Sequence, residues 1–234
     1  MKLLTLRSRA TEPEQLDQGV PEAEALRSLR DLRFVNRWLG NRRSVLAALR
    51  PHLPAGGRLL DVGSASGDLL ADVLSRAPMP ILAAGLDIKP LHFRYASPAV
   101  RRVVADARAL PFPGLSFDVV TASLFLHHFD ADELPSVLAG LFRVARRALV
   151  ISDLHRAALP YLFGRACFPL LFRSRVSVED GLLSIRRGFK AGELRAAFAA
   201  AGLPAPRVTR HFPYRLLAVC ARRESPAGES KGSG

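Results

Sequence analysis

Residues 58–68, RLLDVGSASGD, constrain the fold more than any other stretch of this chain. The apolar run from Leu59 to Val62 is typical of a buried parallel strand, and the small residues from Gly63 to Gly67 predict a tight turn before a segment with helical spacing. Such a unit lets a ligand approach the backbone closely, and the free N–H groups at the helix start suit an anionic or polar ligand group. Asp61 precedes the glycines, whose spacing differs from the dinucleotide fingerprint G-x-G-x-x-G, so the turn predicts a ligand site of another kind.

The stretch from Asp61 to Gly67 resembles the first motif of the class I S-adenosylmethionine (SAM)-dependent methyltransferases, an acidic residue followed by small residues at alternating positions. The resemblance implies that Asp61, Gly63, Ala65 and Gly67 bind the cofactor. Ala65 stands where glycine is commonest in the family. Because alanine adds only a methyl group, we expect a slightly different loop path and a retained site. The motif by itself is also compatible with a strand-to-helix turn of another doubly wound protein.

A second apolar strand, ILAAGLDI, ends at Asp87, 20 residues after Gly67. An acidic residue at the end of the second strand is placed to accept hydrogen bonds from ribose hydroxyls, and Ile88 would supply an apolar face for the adenine. The spacing also suits a nicotinamide dinucleotide, and only the shape of the first loop argues against that ligand. A plain turn aspartate is the third interpretation of Asp87.

The third strand, RRVVAD, ends at Asp106, and the following LPFPGLSFDVVTAS closely resembles the next methyltransferase motifs. In that family the acid after the third strand reaches the adenine amino group, from which a carboxylate is suited to accept a hydrogen bond. The resemblance extends the predicted cofactor site to Asp106, Ala107 and Ser123. It covers roughly Leu26 to Arg222 and implies SAM as cofactor and S-adenosylhomocysteine (SAH) as product.

Paired histidines follow the fourth strand in the run FLHHF. In similar enzymes the residue at the position of His127 faces the transferred methyl group, and a histidine with a near-neutral pKa can take a proton from a phenol or enol. The fifth strand brings Asp153 and His155 to the same sheet rim, since ligands of open parallel sheets bind beyond the strand ends. We therefore predict His127, Asp153 and His155 as catalytic residues and His128 as a substrate contact. Strand capping for the histidines and a helix N-cap for Asp153 are the alternatives.

The apolar and aromatic stretch within residues 154–190 has no counterpart in a minimal methyltransferase core. It predicts either a lid that forms an apolar substrate pocket or, through residues 156–172, a surface that touches a membrane or a partner. As a lid it would bring Tyr161 to the substrate and Arg187 to an acidic substrate group. Two predicted helices before the first strand would add Trp38, which otherwise packs against the sheet.

The formal net charge is +13, and all but four of the 34 basic residues are arginine. Because these arginines are scattered over predicted helices, the charge does not favour a nucleic-acid footprint. Cys167 and Cys220 are too few and too far apart for a zinc site or a disulfide framework, and no metal is expected. The N-terminal apolar run is too short for a signal peptide, and the expected location is a reducing cytoplasm.

The predicted fold is a three-layer, Rossmann-like α/β domain with seven strands, mostly parallel, an antiparallel last strand, N-terminal helices and a helical lid after strand five. Residues 1–20 are expected to be a disordered lead, 21–222 the methyltransferase domain with its lid at 154–190, and 223–234 a disordered tail. The aromatic lid favours a hydrophobic or aromatic small-molecule acceptor, a phenol, quinol or polyketide of natural-product metabolism, for a monomer or homodimer. Oxygen methylation is the first expectation and carbon methylation of a quinol-like ring the second. An RNA or protein methyltransferase and a non-catalytic interaction module are the other classes left open.

Overall fold

A computed structural model describes residues 6–39, 42–77 and 79–222 of the chain. Their centre is one seven-stranded sheet, made of β1 (Arg58–Val62), β2 (Leu82–Asp87), β3 (Arg101–Val104), β4 (Phe117–Ser123), β5 (Ala145–Leu154), β6 (Arg207–His211) and β7 (Arg215–Ala221). The spatial order is β3-β2-β1-β4-β5-β7-β6, and β7 runs antiparallel to both of its neighbours while the other pairs are parallel. The predicted sheet with its antiparallel last strand is confirmed.

The helices of the described residues cover both faces of the sheet. They are α1 (Gln15–Gln18), α2 (Glu22–Leu39), α3 (Arg42–Leu49), α4 (Asp68–Arg76), α5 (Leu134–Val144), α6 (Ala158–Leu171), α7 (Arg175–Arg187) and α8 (Ala191–Ala200), with 3₁₀ turns at Pro90–Tyr95, Ala107–Ala109 and Leu126–His128. On one face α5 and α8 bury Leu138 and Phe198, and on the other α3 and α4 bury Val45 and Leu70. This three-layer packing explains why the central strands are apolar on both sides. None of the described helices is both long and apolar enough to cross a lipid bilayer.

The parallel register brings the carboxyl ends of the central strands to one rim. Val62 of β1 pairs with Leu86 of β2 and with Ala122 of β4, so the residues that follow these strands emerge side by side. β3 ends at Val104, before the predicted end at Asp106, because the Asp106 carboxylate accepts the Arg108 N–H and caps the next 3₁₀ turn. Ligands of such sheets bind beyond this rim.

Residues 6–19, called the N-terminal segment below, are packed against the domain, so the expected disordered lead is wrong for this stretch. Leu6 is buried in a small cluster with residues of α6 and α7. The Asp180 carboxylate of α7 accepts the backbone N–H groups of Gln15 and Leu16, the first residues of α1, at 2.9 and 3.0 Å. The prediction failed because these partners lie more than 160 residues apart in the chain, where local periodicity carries no signal. Residues 1–5 and 223–234 lie outside the described part of the chain.

The predicted lid consists of α6 and α7, which pack on each other, and α7 packs on α2 as well. A Cβ atom at Gly164 or Gly181 would come within 2.9 or 3.0 Å of the Phe168 ring, so these glycines permit the close approach of the two helices. Asp31 of α2 accepts the N–H groups at Arg173 and Ser174, at 3.0 and 2.9 Å, in the turn between them. Burial and these charge-assisted hydrogen bonds hold the lid in place.

Candidate active site

A cavity of about 780 Å³ opens at the carboxyl ends of the strands, between the rim, the N-terminal segment, α2 and the lid. Its lining includes most of the predicted site residues: Asp61, Gly63, Ala65, Asp87, Ile88, Asp106, Ala107, Ser123, His127, His128, His155 and Arg187. The lining does not include Gly67, Asp153 or Tyr161. The side chain of Trp38 lies outside the described residues.

The turn after β1 depends on a close approach of backbone to an aromatic ring. Gly63 has a φ of 69°, and a Cβ atom there would come within 2.1 Å of the Phe125 ring. Ala65 also adopts a positive φ, 45°, a conformation that glycine adopts more readily than alanine. The Asp87 carboxylate accepts the Ala65 N–H at 3.0 Å and so holds the turn against the end of β2.

Asp61 is buried, and its Oδ1 atom has no hydrogen-bond partner among the described residues. Burial, with the negative charge of Asp87 nearby, raises the pKa of Asp61 to about 8. At neutral pH its carboxyl group is therefore largely protonated. A buried acceptor without a partner at the wall of a cavity is suited to a hydrogen bond from a cationic ligand group, which would also lower its pKa.

The two acids at the next strand ends keep acceptor capacity towards the cavity. Asp87 accepts N–H groups from Ala65 and Lys89 and lies 2.9 Å from Nδ1 of His92, and carboxylate oxygens have further lone pairs for hydroxyl groups. Asp106 uses Oδ1 for the Arg108 N–H, and its side chain is 39% exposed. Ile88 is 56% exposed on the cavity wall. This order of carboxylate, apolar side chain and carboxylate suits a nucleoside.

His127 lies between two buried carboxylates. Its Nδ1 atom is 2.7 Å from Oδ1 of Asp153, and its Nε2 atom is 3.6 Å from Oε1 of Glu14 in the N-terminal segment. Asp153 also accepts the backbone N–H of Leu154 at 2.7 Å. These contacts fix the ring and leave Nε2 on the side of Glu14 and the cavity. The predicted placement of Asp153 at the same rim as His127 is therefore present in the geometry.

The charges of this group are strongly coupled. Burial disfavours the imidazolium, but Asp153 and Glu14 outweigh it and raise the pKa of His127 to about 9. Burial alone would raise the pKa of Asp153, yet His127 and the Leu154 N–H hold that pKa below its ordinary value. Burial would likewise raise the pKa of Glu14, but His128, His127 and Ser184 outweigh it and lower that pKa. At neutral pH the group is an imidazolium between two carboxylates.

His128 stands beside His127 but has a different acid. Its Nδ1 atom is 2.6 Å from Oδ2 of Asp17 and 3.9 Å from Oε2 of Glu14. One ligand atom each of Glu14, His127 and His128 lies within 4.8 Å of the others, a spacing compatible with a metal ion. Since Asp17 already engages Nδ1 of His128, the geometry favours a hydrogen-bonded network over a metal site.

Glu14 and Asp17 were missed by the sequence analysis. The segment that carries them is anchored by Arg9, which donates to the carbonyls of Arg187 and Phe129, both at 2.8 Å. Glu14 additionally accepts a hydrogen bond from Ser184 of α7 at 2.5 Å. The only signal in the sequence is a pair of acids after Pro13, and nothing local connects them to histidines more than 100 residues away.

Arg187 has a structural role in place of the predicted contact with an acidic substrate group. Its guanidinium is buried and donates to the carbonyls of His127 at 2.7 Å, Glu12 at 2.7 Å and His128 at 2.8 Å. It lies 3.3 Å from the Asp130 carboxylate as well. Because its donors are engaged, the side chain holds the histidine turn and the N-terminal segment to α7.

Two further predicted residues lie apart from the His127 group. Tyr161 is 9% exposed and packs with Leu6, Phe168 and Ile185, so it forms part of the lid core and the predicted substrate contact is wrong. His155 lines the cavity, but its backbone N–H bonds to the Tyr214 carbonyl. Burial and neighbouring arginines lower the pKa of His155, whereas the pKa of His127 is raised.

The cavity fits SAM on structural grounds. The cradle beside Gly63 would be filled by a Cβ atom, Asp61 presents an acceptor without a partner among the described residues, and Asp87 and Asp106 present carboxylates at successive strand ends. These are the acceptors that an amino group, ribose hydroxyls and an exocyclic amine require. Ile88 supplies the apolar surface for a purine.

Comparison with known proteins agrees with this geometry. Residues 59–148 match the family model of the methyltransferase domain. The demethylmenaquinone methyltransferase of Roseiflexus sp. (strain RS-1) is 31% identical over 109 residues, which are 44% of this chain and 44% of that protein. The ubiquinone/menaquinone biosynthesis C-methyltransferase UbiE of Geotalea uraniireducens (strain Rf4) is 26% identical over 152 residues, 61% of this chain and 56% of the relative. The chain thus matches about half the length of these curated relatives.

The crystal structure of human N-acetylserotonin methyltransferase in complex with SAM has a similar fold, with a TM-score of 0.63 at 17% identity over 91% of this chain and 63% of that one. Sheet order, rim acids and sequence matches together define a class I SAM-dependent methyltransferase fold. Residues 59–148 carry the match to the methyltransferase domain family, and the lining of the cavity fits SAM as the cofactor.

Proposed function

We propose that this protein transfers the methyl group of SAM to a hydroxylated, hydrophobic aromatic small molecule, and that the acceptor is a quinol methylated at a ring carbon. The observation that carries the proposal is the buried His127–Asp153 pair, at 2.7 Å, whose histidine lies on the wall of a largely apolar cavity. A fixed histidine at an apolar site is suited to remove a proton from a phenolic hydroxyl. The names of the curated relatives support a quinone-type acceptor.

When bound, SAM supplies a methyl group on a sulfonium centre, which a nucleophile displaces to leave SAH. Asp153 holds Nδ1–H of His127, so that Nε2 is the atom that takes the proton of the acceptor hydroxyl. The resulting oxyanion attacks through its oxygen or through the adjacent ring carbon. Attack through oxygen gives the ether, and the hydroxyl proton stays with His127. Attack through the ring carbon gives a dienone, which becomes aromatic when that carbon loses its proton and the oxygen regains one, so that each route releases one proton overall. Both routes therefore begin with the same deprotonation of the hydroxyl group.

The lid provides the apolar walls of the acceptor side. Phe163, Phe168 and Phe172 line the cavity together with Pro160. An apolar enclosure excludes water, which would otherwise compete for the oxyanion and weaken the electrostatic contacts of the site. The N-terminal segment closes the same space from the other side through Glu14 and Leu16.

The decisive experiment compares wild type and His127→Gln with SAM and a panel of quinols and phenols, with products identified by mass spectrometry and NMR. We expect turnover to fall by about 10²- to 10⁴-fold in the variant. SAM affinity, measured by calorimetry, should change little because the rim acids are untouched. Ring-carbon methylation of a quinol supports the proposal, whereas an exclusively oxygen-methylated product would correct the acceptor atom.

His52→Gln is the matched control, because His52 lies in the turn after α3 and does not line the cavity. It should behave as wild type in both assays. Adding a chelator to wild type should leave turnover unchanged, and a loss restored by a divalent ion would assign Glu14, His127 and His128 to a metal site. Wild-type turnover in His127→Gln would remove His127 from the chemistry.

A further inference from the structure

One side of α6 is an exposed apolar stripe. Leu159, Leu162, Phe163 and Leu170 are 61%, 48%, 49% and 86% exposed, and Ala166 between them is exposed too. With 3.6 residues per turn these positions fall on a single face that spans about a third of the helix circumference. Single exposed leucines need no explanation, but an unbroken apolar face does.

The opposite face of α6 already has its packing partners. Tyr161, Gly164 and Phe168 are buried against α7, where Ile185 completes the cluster. The helix is therefore apolar on both sides, which is typical of a fully buried helix and costly for one that faces water. The outer stripe needs a second apolar environment that the described residues do not supply.

The stripe continues into the mouth of the cavity. Pro160 and Phe163 of α6 both line the cavity, and so does Phe212, which is 87% exposed in the turn between β6 and β7. A hydrophobic molecule that leaves an apolar phase at the stripe thus reaches the cavity over apolar surface. This continuity favours a phase that contains such molecules.

The charges around the stripe are positive. α6 contains no acidic residue, Arg165 is exposed on the helix beside the stripe, and Arg173 is exposed in the turn that follows, whereas Arg175 is paired with Glu179 at 2.9 Å. Arginines at the border of an apolar helical face are attracted to the headgroups of anionic lipids. The net charge of +13 acts in the same direction.

We propose that α6 docks this protein on an anionic lipid bilayer, with Leu159, Leu162, Phe163 and Leu170 inserted at the headgroup level and the cavity mouth facing the membrane. The docking proposal rests on the surface of α6 and does not depend on the proposed function. If the proposed function holds, its acceptor enters the cavity directly from the bilayer.

The test is flotation of the full chain with vesicles of phosphatidylcholine, alone or mixed with phosphatidylglycerol. Wild type should float with the anionic vesicles and much less with the neutral ones. The double variant L162S/L170S should bind at least about tenfold more weakly, because two inserted leucines lose their apolar burial. Leu115→Ser is the matched control: Leu115 is 45% exposed but precedes β4 at the far end of the sheet, so it should float like wild type.

Two measurements separate this proposal from misfolding and from the proposed function. SAH should raise the melting temperature of L162S/L170S as it does for wild type, and turnover with a water-soluble acceptor should be retained. Light scattering without lipid detects the other occupant of such a face, a second copy of the chain. Equal flotation of wild type and L162S/L170S, or a dimer that only this variant dissociates, would overturn membrane docking.

Discussion

At the scale of single residues, His127 is the group whose charge depends most on its neighbours. Its pKa of about 9 means that the neutral base is a minor form at pH 7, so kcat/KM should rise with pH up to about 9. Glu14→Gln removes a negative charge near Nε2 and lowers the pKa of His127. We therefore expect the rising limb to move to lower pH, by on the order of one unit, in a pH–rate profile.

Glu12→Gln is the control for that experiment, because Glu12 lies in the same segment but pairs at the surface with Arg186 at 3.3 Å. Its profile should coincide with that of wild type. A limb that stays in place in Glu14→Gln would show that Glu14 does not act on His127.

Asp61 gives the second prediction at this scale. Its pKa is raised from an ordinary value near 3.8 to about 8, so the folded state resists an ionisation that the unfolded chain undergoes freely. The cost is absent below about pH 4, grows up to about pH 8 and is constant above. Asp61→Asn cannot ionise, and its melting temperature relative to wild type should therefore rise over that range.

In calorimetry Asp61→Asn should bind SAM more weakly, because a neutral amide cannot form an ion pair with a cationic group of the ligand. Asp72→Asn is the control, because Asp72 forms a half-exposed pair with Arg42 at 2.8 Å. It should show neither effect. A melting difference for Asp61→Asn that does not change with pH would contradict the raised pKa.

At the scale of elements, the turn between β1 and α4 is the least tolerant part of the site. Gly63→Ala would place a Cβ atom within 2.1 Å of the Phe125 ring, at a φ that alanine rarely adopts. We expect a loss of more than about 2 kcal/mol of unfolding free energy and a loss of SAM binding, measured by denaturant titration and calorimetry.

The control is Gly140→Ala in α5, where an added Cβ atom has nothing within 4 Å. Higher helix propensity should stabilise that variant by about 0.5–1 kcal/mol and leave SAM binding unchanged. SAM binding by Gly63→Ala at wild-type affinity would show that the turn can move away from Phe125 and is not the cradle described above.

Elements also mark the limit of what the sequence predicts. Asp61 and Asp87 at the ends of their strands, and Asp106 after the third strand, were recognisable because apolar runs and small residues are local patterns. The placement of Asp153 at the same rim as His127 followed from one topological rule about strand ends. Glu14 was not predictable, since its place depends on hydrogen bonds to α7, and the role of Arg187 was predicted wrongly because a buried arginine and a ligand-binding one look alike in sequence.

At the scale of the whole molecule, the net charge of +13 distinguishes two acceptor classes. A neutral, water-soluble aromatic acceptor makes no phosphate contacts, so its kcat/KM should vary less than about twofold between low and high sodium chloride. An RNA acceptor that used several phosphate contacts would lose about 10³-fold or more over a comparable range. Steady-state kinetics in a salt series, with SAM saturating throughout, make the comparison.

The N-terminal segment has a consequence for how this protein comes into being. It is synthesised before its anchors in the histidine turn and α7, which appear only after most of the domain has been made. During synthesis the segment stays undocked, and it closes the cavity only when residue 187 and its surroundings have left the ribosome. A segment that is synthesised early is thus among the last to dock, and the histidine site is complete only late in folding.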